Sequence, residues 1–126
     1  MAVLDFDGVL FDDVAFKKEC ESIFRRAGIS QERYEKTYQE SKRQRGHYDP
    51  RIHIRLALKT FPAASVMEKN LFARMKDFTE QSFRYVYGDV KDFLAFLKQE
   101  GINTILLSTG DASFQNQKIS KSRIAE

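Results

Sequence analysis

Hydrophobic and polar positions change period along this chain, and the changes divide it. Met1 to Leu4 is an apolar run too short for a helix, and Val3, Leu4 and Phe6 favour extended backbone, which predicts a buried strand. Beyond it apolar residues recur at helical spacing. Phe16, Cys20, Ile23, Phe24 and Ala27 form one stripe, with Asp12 or Asp13 able to cap its start and Gly28 suited to a left-handed stop. A second helix is predicted from about Ser30 to Gly46, with Tyr34, Tyr38 and Ser41 on one side. Asp49-Pro50 then offers a cap followed by proline in the first turn, ahead of apolar positions from Ile52 to Phe61. Ser65 with Glu68 reads as a capping box for a longer fourth helix striped by Met67, Leu71, Met75 and Phe78.

The period changes again at Tyr87-Gly88-Asp89. Asp89 is positioned to cap a helix whose buried side is Val90, Phe93, Leu94 and Leu97, and Gly101 ends it before a β-branched and apolar strand, Ile102 to Ser108. A last helix is predicted to begin near Ala112 or Ser113. Strand, helix, strand is a parallel crossover unit. The predicted fold class is therefore α/β: an incomplete Rossmann-like parallel sheet from residues 1–12 and 87–126, interrupted by a helical bundle over 13–86. Chemistry in such sheets gathers at the carboxyl ends of the strands, where Asp5-Phe6-Asp7-Gly8 and Ser108-Thr109-Gly110 fall.

Composition narrows the setting without deciding it. A chain of 126 residues, 42% hydrophobic and 31% charged, is globular and has room for one compact core. Its 21 basic and 18 acidic residues are dispersed, so the net charge of +3 gives little support for nucleic-acid binding and fits a small anionic substrate equally well. No segment has the length or purity of a membrane helix or a signal sequence, and the lone Cys20 falls in an apolar stripe, so a cytoplasmic chain with a core thiol is expected. His47 and His53 have no metal-ligand spacing with each other or with Cys20, and zinc is not expected. The aromatics follow the helical stripes and read as core.

The candidate chemistry rests on two acids. A strand leading Asp5 and Asp7 out on one face costs stability unless something cationic compensates, which marks them as functional, whereas Asp12 and Asp13 read as helix caps. Ser108-Thr109-Gly110 by itself is an ordinary strand-to-helix turn.

Taken together, DFDGVLFDD, the helical insert that follows it, and ILLSTGDASFQNQK resemble the haloacid dehalogenase superfamily of aspartate-nucleophile phosphatases with a helical cap. The resemblance implies Asp5 as the nucleophile that forms an aspartyl-phosphate and Asp7 as the acid/base. It implies Mg²⁺ held by the Asp5 carboxylate and the Asp7 backbone carbonyl, with phosphoryl oxygens bound by Ser108 and the N–H groups of Thr109 and Gly110. True dehalogenases of the superfamily carry a non-acidic residue where Asp7 stands, so a small phosphorylated metabolite is the expected substrate. The basic segment Lys42 to His47 lies between two cap helices, and Arg45 and His47 are candidates for reading a second anionic group.

The family also needs a lysine beside the nucleophile and a later acidic motif. Lys118 ends an S-T-G-x-x-x-x-Q-x-x-K run matching a family helix whose lysine is not the catalytic one, so it reads as structural or solvent-exposed. The catalytic lysine and last acids are expected beyond residue 126, and a chain with two predicted strands is expected to be inactive and marginally folded by itself. Three other readings stand at this point: a phosphomutase, a metal-dependent D-x-D transferase using nucleotide sugars, and a non-catalytic interaction protein.

Overall fold

The computed structural model describes residues 1–108 and 110–124. Strands β1 (Ala2–Asp5) and β2 (Thr104–Leu107) pair in parallel, with Ala2 opposite Thr104 and Asp5 opposite Leu107. Between them run α1 (Asp13–Arg26), α2 (Gln31–Arg45), α3 (Pro50–Leu58), α4 (Ala64–Glu80), a 3₁₀ turn (Ser82–Tyr85) and α5 (Val90–Gln99), and α6 (Ala112–Ser122) follows β2. This is a helix-rich α/β fold with a bundle inserted between the two strands of a short parallel sheet. β2 is shorter than its apolar run because a ladder extends only as far as its partner, and β1 supplies four residues. Leu4 and Leu106, opposite in register, pack on the core, while Val3, Ile105 and Leu107 stay exposed on the other face.

Local capping rules explain most helix starts. The side chains of Asp12, Ser30, Asp49 and Asp111 accept hydrogen bonds from the backbone N–H of Ala15, Arg33, Arg51 and Phe114, and Pro50 opens α3. Burial alone would raise the Asp49 carboxyl, but hydrogen bonds from Arg51 outweigh it and hold the group below its ordinary value. The expected Ser65–Glu68 capping box does not form. α4 starts from Ala63 in the left-handed region (φ 56°), Ser65 lies within the first turn, and Glu68 accepts from Arg55 Nε at 3.2 Å. Asp89 occupies the cap position of α5 without making a side-chain cap bond. Phe93, expected on the buried side of α5, is 41% exposed because no described segment covers that flank, whereas Val90 and Leu97 are buried.

The core is aromatic and lies in the bundle and the loop after β1. Phe6 stacks on Phe11 (centroids 4.7 Å apart) and Phe16 on Phe78 (4.5 Å), ring contacts that add to area burial. The insert leaves and returns side by side: Phe11 bridges Val86, Asp12 N–H donates to the Tyr85 carbonyl at 2.6 Å, and Tyr87 N–H donates to Leu10 at 3.1 Å. α6 then lies against α4 and the 3₁₀ turn, so the helix that follows β2 rests on the bundle.

His53 is fully buried, with Tyr48 Oη 2.8 Å from Nδ1 and the Tyr34 carbonyl 3.1 Å from Nε2, a pattern that a neutral ring protonated on Nε2 satisfies. Burial drives its pKa from 6.5 down to about 4, the Tyr34 hydrogen bond opposing. Below pH 6.5 the unfolded chain binds a proton that the folded chain refuses, so stability falls as pH drops from 6.5 to about 4, by roughly 3 kcal/mol in total. Urea midpoints across that range are expected to fall more steeply in the wild type than in His53→Gln; parallel curves would contradict the assignment.

Candidate active site

The site starts from a sharp loop at the end of β1. Phe6 turns into the core, its carbonyl accepting from both Leu10 and Phe11 N–H at 3.0 Å, and Gly8 at φ +82° donates its N–H to the Phe11 carbonyl at 2.8 Å. The fold thus corrects one expectation: Asp5 and Asp7 do not share a strand face, because β1 ends at Asp5 and Asp7 belongs to the loop. Asp5 is exposed and makes no hydrogen bond or ion pair with the described residues. Asp7 is partly buried and engaged on both oxygens, Oδ1 accepting from Lys118 Nζ at 3.0 Å and Oδ2 from Gln115 Nε2 at 2.9 Å. Gln115 and Lys118 are three apart on α6, hence on one face of it.

Asp7 opens onto a cavity of about 370 Å³, the lower end of the range that holds small ligands. Gly110, Gln115 and Lys118 line it on the α6 side, and Lys17, Tyr38 and His47 contribute from the bundle. Gly110 has φ +122°, and a Cβ there would sit 3.3 Å from Gln115 Nε2, so backbone and space both favour glycine. His47 reaches across, its Nε2 3.6 Å from Asp111 Oδ1 at the start of α6. Arg45 is outside the lining, 3.9 Å from Asp49. Ser108 follows β2 directly and is exposed, two residues before the lining residue Gly110, and Thr109 lies outside the described residues. Cys20 also lines the cavity; burial pushes its thiol up, so it stays protonated.

Of the two places expected for Lys118, structural or solvent-exposed, the fold excludes the second. It is neither solvent-exposed nor remote, but 2% exposed at the cavity wall against Asp7. The available signal was the Gln-x-x-Lys spacing, which sets two long donors on one helical face; nothing in the spacing says what that face meets. Asp13 had a second use as well, 2.9 Å from Lys17 Nζ and 3.6 Å from Lys118 Nζ, while Asp12 alone caps α1.

A family model for haloacid dehalogenase-like hydrolases matches residues 1–124. The chain belongs to that family. Neither a curated protein nor a solved structure matches it. As a haloacid dehalogenase-like hydrolase it carries its first acidic motif at the end of β1 and its serine directly after β2, and no helix among its described residues is long and apolar enough to cross a membrane. No three His, Cys, Asp or Glu side chains among the described residues are grouped to hold a metal. Two hard oxygens do remain at the strand end: the exposed Asp5 carboxylate and the Asp7 carbonyl, which accepts no backbone hydrogen bond from the described residues. Oxygens of this kind are what a small hard cation takes as ligands.

Proposed function

We propose that this hydrolase cleaves phosphoric monoesters of small metabolites through an aspartyl-phosphate on Asp5. The observation that carries the reading is Asp7: a second carboxylate two residues past the exposed Asp5, partly buried, oriented by two donors and open to a cavity sized for a small ligand. In the first step an Asp5 oxygen attacks phosphorus while the ester P–O bond breaks, and protonated Asp7 gives its proton to the leaving oxygen. In the second, Asp7 takes a proton from water, whose oxygen attacks phosphorus and frees inorganic phosphate and the Asp5 carboxylate. The Asp5 carboxylate and the Asp7 carbonyl would hold Mg²⁺, which would supply positive charge against the repulsion between nucleophile and phosphate. The Ser108 hydroxyl and the N–H groups of Thr109 and Gly110 are assigned to the phosphoryl oxygens, where preorganised donors stabilise developing charge. His47, in the lining, supports recognition of a second polar or anionic group; Arg45, outside it and paired with Asp49, has less support.

The test is phosphate release from p-nitrophenyl phosphate by protein expressed from its complete coding region. Turnover with Mg²⁺, loss with EDTA and recovery on re-addition are expected. Turnover unaffected by chelation would remove the metal assignment, and halide release from a haloacid without phosphatase activity would overturn the reading.

A further inference from the structure

We propose that Lys118 is a positioning residue that holds the Asp7 carboxylate for proton transfer; the proposal rests on the phosphatase reading above. The side chain of Lys118 is 3% exposed, and its ammonium lies 3.0 Å from Asp7 Oδ1 and 3.6 Å from Asp13 Oδ1. Four phenylalanine rings surround it, with Phe11 and Phe16 centroids at 4.9 Å, Phe114 at 5.3 Å and Phe6 at 5.9 Å. Ring faces attract a cation, and the ammonium also balances two carboxylates, Asp7 and Asp13. Removing the ammonium alone would leave those carboxylates without their partner, which costs stability, so a melting curve by itself does not separate a positioning role from a structural one.

What the ammonium does at this place is take one oxygen of Asp7 while Gln115 takes the other. Two donors from one face of α6 fix the rotation of the carboxylate, and each oxygen keeps a second lone pair for the substrate side. Lys118, Gln115 and Asp7 all line the same cavity, so the lock sits at the wall where a leaving oxygen would arrive. Proton transfer is sensitive to such orientation, and small displacements of a catalytic group cost one to two orders of magnitude in rate.

The test compares wild type and Lys118→Met on p-nitrophenyl phosphate and on phenyl phosphate, whose leaving oxygen is more basic and depends more on a donated proton. Lys118→Met is expected to melt below the wild type, because its carboxylate partners stay behind, and, assayed below its transition, to lose roughly 10- to 100-fold in kcat on phenyl phosphate, with KM little changed and a clearly smaller loss on p-nitrophenyl phosphate. Gln115→Met, which removes the other donor, is expected to show the same leaving-group dependence and carries the test if Lys118→Met does not fold. Equal losses on both substrates, as partial unfolding would give, or wild-type kcat would overturn the inference alone. A wild type, expressed as in the test above, that releases no phosphate from either ester would overturn the functional reading and the inference with it.

Discussion

Asp5→Asn is expected to lower phosphate release from p-nitrophenyl phosphate by roughly 10⁴-fold or more, the scale seen when the nucleophile of a covalent mechanism is removed. A carboxamide is isosteric with the carboxylate but cannot form the acyl phosphate, so no alternative path through Asp5 remains. The loss is expected without a loss of fold. Asp5 is exposed at the end of β1 and makes no ion pair or hydrogen bond with the described residues, so removing its charge leaves no buried partner stranded. Melting curves should therefore superimpose on those of the wild type. Acid-stable incorporation of phosphate into the wild type, absent in Asp5→Asn, would locate the intermediate; retained turnover would sink the nucleophile assignment.

Phe24→Ala should produce the largest stability effect, about 3 to 5 kcal/mol, because it removes a large buried ring that its neighbours cannot replace. Phe24 is fully buried, stacked on His53 at 4.5 Å and set edge-on to Tyr34 at 5.0 Å, and it joins α1 to α2 and α3. Against a total stability of about 5 to 15 kcal/mol, such a loss brings a domain close to unfolding at ambient temperature. Phe24 does not line the cavity, so the molecules that remain folded should keep the wild-type kcat. Denaturant midpoints separate the two effects, and a loss below about 1 kcal/mol would show that the bundle does not pack around this ring.

Helix boundaries were legible where a local rule suffices. Asp12, Ser30 and Asp49 cap the helices that the apolar stripes announce, because a cap bond spans only two or three residues. The same rule failed at Ser65 and Glu68. Glu68 instead meets Arg55, thirteen residues away, a contact set by how α3 packs on α4. Phe93 carried a valid helical stripe yet stays partly exposed, since a stripe states which side is apolar and not whether another layer covers it.

The sequence by itself determined the parallel strand pair, the helical insert between the strands, and the placement of Asp5, Asp7 and Ser108 at strand ends, since period, capping and chain order are local properties. It did not determine that the strand stops at Asp5 with Asp7 in the loop beyond it, nor that Lys118 meets Asp7 at the cavity wall. Lys118 and Asp7 are 111 residues apart and meet at 3.0 Å. Charge attraction and desolvation depend on that distance and burial, which exist only once α6 has packed against the bundle.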